Sequence, residues 1–147
     1  MSKVLIVDNS LFIRTSLQKI LEDGGHKVVG TATNGKEALE LYLSLKPDVV
    51  TLDLVMDAPN RLSMTPEEAA ADGLAALRSI RGRDLKAVII IITAGRLLTA
   101  RAKAMGAFDV IYKPLDPEKV RKTVQLAGLA AARARLAHLR SSGPGKA

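Results

Sequence analysis

The sequence contains no cysteine, which excludes both a disulfide framework and a thiolate metal site. It also lacks any apolar run near the ~20 residues of a membrane-spanning helix. Its longest, Ala87–Ile92, is the length of a strand. Met-Ser-Lys leads directly into Val-Leu-Ile-Val, without the longer apolar stretch and small-residue cleavage site of a signal peptide, so the expected location is cytoplasmic. Aromatic residues are only 3%, too few for a base-stacking platform. Acidic residues are missing after Glu118, where Lys119, Arg121, Lys122, Arg133, Arg135, Arg140 and Lys146 follow. With those seven set aside, 15 of the 22 bases face the 15 acids, so residues 1–118 are neutral and the net charge of +7 belongs to the C-terminal segment. What remains is ordinary: 48% hydrophobic and 25% charged residues in 147, suited to one globular domain with its own core.

Apolar, β-branched runs alternate with helical patterns five times along the chain. Val4–Val7, Val28–Ala32, Val49–Leu54, Val88–Thr93 and Val110–Tyr112 read as strands. The first, third and fourth are almost unbroken in apolar character, as parallel strands covered on both faces require. Phe12, Ile13, Leu17, Ile20 and Leu21 recur at helical spacing, and Gly24-Gly25 ends that helix. Asn34 with Glu37 three residues on is a capping box, and Thr65-Pro66-Glu67-Glu68 and Asp116-Pro117 are further helix starts. Five βα units with right-handed crossovers predict a doubly wound α/β fold with helices on both faces of a five-stranded parallel sheet.

In such a sheet, ligands bind beyond the carboxyl ends of the strands. Those ends carry Asp8 and Asn9, Asp53, Thr93-Ala94, and Lys113-Pro114. Two carboxylates brought together repel, and a hard cation between them relieves this. Mg²⁺ suits one or two carboxylates, several waters and phosphate oxygens. Lys113 is placed to pair with an anion at the same rim, and Thr93 to hydrogen-bond it.

Val-Asp8-Asn9-Ser, Thr-Leu-Asp53-Leu-Val-Met, Asp72-Gly73-Leu, Ile-Thr93-Ala94 and Gly-Ala-Phe-Asp-Val-Ile-Tyr-Lys113-Pro114 resemble, in order and strand context, the receiver domains of two-component response regulators. The resemblance covers about residues 3–128, and the Ile-Val-Asp-Asn-Ser and Asn34-Gly-Lys-Glu-Ala-Leu stretches are similar to chemotaxis-type receivers. It implies the flavodoxin-like strand order 2-1-3-4-5. It also implies that Asp53 accepts a phosphoryl group from a sensor histidine kinase, a phosphotransfer protein or a small phosphodonor. By the same resemblance Asp8, Asp53 and the backbone carbonyl of Val55 hold Mg²⁺, Lys113 pairs with the phosphoryl group, and Thr93 swings in to it.

The sequence departs from that family in three places. The family has a second acid, a direct metal ligand, where Asn9 stands here, so weaker Mg²⁺ binding is expected. The aromatic usually found three residues before the lysine is Val110, while Tyr112, one residue before it, shares that side of the strand by alternation. Residues 57–71 form an insertion of 15 between Met56 and Asp72, where the family has three. The start signal at Thr65 predicts an ordered extension of the third helix within it.

The expected organisation is a receiver domain over 1–128, an extension of the last helix over 129–140, and a Ser/Gly/Pro-rich disordered tail over 141–147. The last helix, Pro117 to about Arg140, would measure roughly 36 Å. Leu129, Ala132, Leu136 and Leu139 fall at a, d, a, d spacing in its overhang, which predicts pairing with another helix, most simply in a homodimer. The expected function is that of a stand-alone response regulator, a phosphorylation-dependent switch acting on an output protein and not a turnover enzyme. Two rival readings stay open: a degenerate receiver serving as a constitutive scaffold, and nucleic-acid binding by the basic last helix. Against the second stand the wide spread of the seven bases and the scarcity of aromatics. No membrane contact is expected.

Overall fold

The computed structural model describes residues 1–56, 64–96 and 98–141. Five parallel strands, β1 (Lys3–Val7), β2 (Lys27–Ala32), β3 (Val49–Leu52), β4 (Ile89–Thr93) and β5 (Asp109–Tyr112), form one sheet in the order β2-β1-β3-β4-β5. Each strand edge found in the sequence lies within two residues of its observed position. The expected topology is the observed one.

Side chains alternate across the sheet and sort into two cores. Leu5, Val7, Val50, Leu52, Ile89 and Ile91 face α2 (Gly35–Leu45), α4 (Ala71–Arg83) and α5 (Thr99–Ala104). Val4, Ile6, Val49, Ile90, Ile92 and Ile111 face α1 (Leu11–Asp23) and α6 (Pro117–Ser141). In α1, Leu17 and Leu21 form the buried stripe, whereas Phe12 points to solvent.

Capping follows the sequence signals. Ser10 accepts from the Ile13 N–H to start α1, and Asn34 accepts from the Glu37 N–H to start α2. The Glu37 carboxylate reaches back to the Thr33 N–H at 2.8 Å, one residue earlier than in the usual reciprocal box.

Of the insertion, residues 57–63 lie outside the described residues. Thr65 caps a single helical turn, α3 (Pro66–Ala69), accepting from the Glu68 N–H at 3.2 Å. The expected extension of the third helix is instead a separate turn, because Ala70 (φ −96°, ψ 2°) leaves the helical region before α4 begins. The start of α4 is fixed by close packing: a Cβ on Gly73 would lie 2.2 Å from the Leu54 carbonyl oxygen. Only glycine permits that approach, and it sets α4 directly against the segment that follows Asp53. Asp72 ties the same turn to α2 by accepting from the Gly35 N–H at 3.1 Å.

The last helix runs 25 residues without a break, roughly 37 Å. Of the tail expected over 141–147, Ser141 closes this helix and residues 142–147 lie outside the described residues. Among the described residues no helix is long and apolar enough to cross a membrane.

Candidate functional site

Parallel pairing brings four strand ends, those of β1, β3, β4 and β5, to one rim. The Asp8 N–H donates to Ala32 and the Asp53 N–H to Val7, each at 3.0 Å, so both aspartates leave the sheet held by its last hydrogen bonds. The Lys113 N–H donates to the Thr93 carbonyl at 2.9 Å and anchors the far side in the same way. Lys113 and Pro114 are joined by a cis peptide bond.

The two carboxylates converge on the lysine. Lys113 Nζ lies 2.9 Å from Asp8 Oδ2 and 3.2 Å from Asp53 Oδ2. Asp8 is 1% exposed and Asp53 4%, so neither carboxylate has bulk water to solvate it. Backbone donors satisfy their other oxygens: the Ser10 N–H reaches Asp8 Oδ1 at 2.9 Å, and the Val55 N–H reaches Asp53 Oδ1 at 3.1 Å. Among the described residues, one lysine against two buried carboxylates leaves a net negative charge in a low-dielectric site. Burial pushes the Asp53 carboxyl above its usual range; Lys113 opposes this, the Asp8 charge adds to it, and the Val55 N–H pulls it back.

Thr93 ends β4 and is 1% exposed. Asn9 follows Asp8 on the exposed surface of the rim. The structure therefore gathers Asp8, Asp53, Lys113 and Thr93 at adjacent strand ends, with Asn9 and Val55 each within two residues of a carboxylate. The donor set is oxygen only: two carboxylates, a neighbouring amide and a backbone carbonyl. That chemistry fits a hard cation such as Mg²⁺ and would not hold a soft one.

Three residues around the rim had no signal in the sequence. The Arg14 guanidinium donates to the Asp8 carbonyl oxygen at 2.8 Å, bracing the loop from one helical turn away. Arg96 lies over the Tyr112 ring, 4.2 Å from its centroid. The Thr99 and Tyr112 hydroxyls are 3.1 Å apart, and Thr99 also donates to the Arg96 carbonyl at 2.9 Å. Tyr112 is the register partner of Thr93. Strand alternation places Val110 on the same side, packed half-buried against the α2–α4–α5 core. Only a spacing-independent contact map could have found the Arg96–Thr99–Tyr112 cluster, because its members come from a loop, a helix and a strand.

Comparison with known proteins places these features in context. The profile of the response regulator receiver domain matches residues 4–125. The chain is 38% identical over 120 residues to the chemotaxis protein CheY of Thermotoga maritima, covering 80% of this chain and 90% of that protein. It is 36% identical over 126 residues to protein CcdB of Bacillus subtilis, covering 84% and 95%. Among solved structures it is similar to a CheX-CheY-BeF3-Mg+2 complex from Borrelia burgdorferi, with a TM-score of 0.71 and 34% identity over 84% of this chain and 87% of that one.

Proposed function

The chain belongs to the response regulator receiver domain family, and on that premise we propose that it is a phosphorylation-driven protein-interaction switch with Asp53 as the phosphoacceptor. The observation that carries the reading is Lys113 Nζ between two buried carboxylates, 2.9 Å from Asp8 and 3.2 Å from Asp53. Two carboxylates sharing one cation out of water is a poor arrangement for stability and a good one for handling a phosphoryl group.

An Asp53 oxygen attacks phosphorus on the phosphohistidine of a sensor kinase or phosphotransfer protein. The new O–P bond replaces the donor's N–P bond, and the imidazole leaves with the electron pair. Asp8, Asp53, the Asn9 amide and the Val55 carbonyl would hold Mg²⁺, which when bound neutralises charge on the phosphoryl oxygens. Lys113 remains beside Asp53 as the fixed countercharge while the charge there grows from one negative unit to roughly two. Thr93, at the end of β4 on the same rim, donates to the new oxygens. Its displacement is felt by its register partner Tyr112, and through Arg96 and Thr99 by α5. Water later cleaves the acyl phosphate and returns Asp53. No external substrate is turned over; the output is a changed surface for a partner protein, as in two-component phosphorelay signalling.

The test is incubation with Mg²⁺ and a small acyl phosphate, followed by intact mass. One phosphoryl group should be added, and Asp53→Asn should abolish the gain. Undiminished labelling of that variant would remove Asp53 from the role.

A second partner reading rests on α6. Leu129, Leu136 and Leu139 are 53%, 53% and 66% exposed on a helix that continues unbroken to Ser141. Val120, Val124, Ala127 and Ala131 on the opposite face are already packed on the sheet. The leucines therefore do not fold back onto their own domain, and pairing of two copies through this stripe is the reading they support.

A further inference from the structure

At the end of the sheet opposite Asp53, α6 extends past the strands and walls a cleft of about 520 Å³. Its other walls are the start of β1, the α2–β3 turn and the α4–β4 turn. Volumes of this size hold small organic ligands. The cleft stays open because α6 presents Ala131 and Ala134 toward it, while its leucines point outward. Helices usually bury their larger apolar residues; beside the cleft this one turns alanines inward and leaves space.

The lining is strongly cationic. Lys3, Lys46, Arg83 and Lys86 all border the cleft, and none of their side chains has an acidic partner among the described residues. Two carboxylates also border it, and both are occupied. Asp48 accepts from the Lys3 backbone N–H at 2.8 Å and pairs with Arg135 of α6. Asp84 accepts from the Tyr42 hydroxyl at 2.6 Å and from the Lys86 N–H at 3.0 Å. Complementing the negative C-terminal ends of α2 and α4 accounts for Lys46 and Arg83. It does not account for Lys3, at the start of β1, or for Lys86, in the α4–β4 turn. Lys46 also holds a left-handed conformation (φ 48°, ψ 59°), where glycine is the unstrained choice. A charged side chain stands at that position, directly on the rim of the cleft.

We propose that this cleft is a binding site for a small polyphosphate-bearing ligand, in which four cations from three chain segments engage the phosphate groups and Ala131, Ala134 and Pro47 floor the apolar part. The site is distinct from the Asp53 rim and does not depend on the phosphoacceptor reading. It gives the helical overhang a purpose: without residues beyond 128 the cleft has no fourth wall.

Calorimetric titration of the full chain with pyrophosphate and with ATP, at low salt and without Mg²⁺, tests the site. Saturable binding of one equivalent is expected. Lys46→Glu/Arg83→Glu should weaken it by about tenfold or more, the size expected for lost charge-assisted hydrogen bonds. Arg101→Glu/Lys119→Glu makes the same change of net charge outside the cleft and should leave the affinity within about twofold. Ala134→Phe fills the cleft without altering charge and should weaken ATP. It provides the test should the double charge reversal fail to fold, which circular dichroism reports. Tighter binding of ATP than of pyrophosphate assigns the floor to an organic body, and equal binding assigns the site to the phosphates alone. Absence of saturation for both probes at about 5 mM, or equal loss in the control variant, overturns the proposal.

Discussion

Replacing Lys113 by methionine keeps most of the aliphatic length and removes the cation that bridges Asp8 and Asp53. The lysine contacts them at 2.9 and 3.2 Å, and their side chains are 2% and 5% exposed. Removing one partner of a buried ion pair costs about 3–5 kcal/mol while the remaining charge stays. The protein has a way out, which is to protonate one carboxylate. For a carboxyl of ordinary pKa near 4, that costs roughly 4 kcal/mol at pH 7 and about 1.4 kcal/mol at pH 5. Asp53 is the group that takes the proton, since burial already holds its carboxyl above the usual range. The sign follows. A carboxyl raised on folding makes the native state bind more protons, so stability is highest below the unfolded pKa and falls as pH rises through the folded one. That decline exists in the native protein and should steepen in Lys113→Met. We expect a loss of about 3 kcal/mol in urea unfolding at pH 7.5, shrinking to about 1 kcal/mol at pH 5. In an Asp53→Asn background the same substitution should cost about 1 kcal/mol or less at both pH values. An equal cost, within about 0.5 kcal/mol, at both pH values and in both backgrounds would refute the electrostatic account and reduce Lys113 to a packing residue.

Asn9→Asp adds a third carboxylate to the rim, so it should tighten Mg²⁺ in a metal titration and lower the stability of the metal-free protein; equal or weaker affinity would show that this position does not govern the metal. Gly73→Ala drives a Cβ to 2.2 Å from the Leu54 carbonyl, and we expect about 1–3 kcal/mol of destabilisation with slower labelling of Asp53, whereas Gly82→Ala, with open space around it, should be neutral or slightly stabilising. Leu129→Glu/Leu136→Glu should convert a dimer to a monomer in light scattering. Burial would return about 1.5–3 kcal/mol per fully covered leucine, against a few tenths for each pair of like charges, and a native protein already monomeric at about 100 μM ends the self-association reading.

Much of this molecule can be read in one dimension because its chemistry is tied to strand ends. Nearly unbroken apolar runs such as Val4–Val7 and Ile89–Ile92 mean parallel strands, parallel strands require crossovers, and crossovers send every carboxyl end to one edge. Asp8, Asp53, Thr93 and Lys113 were therefore legible as a group before any distance was known. Gly73, by contrast, reads as a helix residue of poor propensity, and only its contact with Leu54 shows why nothing else fits. Thr65 signalled a helix correctly, but the break at Ala70 is decided by how α4 packs. The outward direction of Leu129 and Leu136 was likewise open in the sequence. Periodicity says that residues share a face; the body against which the helix lies says which face that is.

The sequence by itself determined the five βα units, the residues at the strand ends and the excess of positive charge in the C-terminal segment, since these follow from local pattern and from composition; the strand order came from the family resemblance carried by the motifs. Tertiary structure alone decided that Lys113 bridges both carboxylates and that Tyr112 sits under Arg96. It alone enclosed Lys3, Lys46, Arg83 and Lys86 around one cleft. The Arg96–Tyr112 contact joins residues 16 positions apart and the Lys113–Asp8 contact 105, and no periodicity encodes the folding of separate segments onto one another.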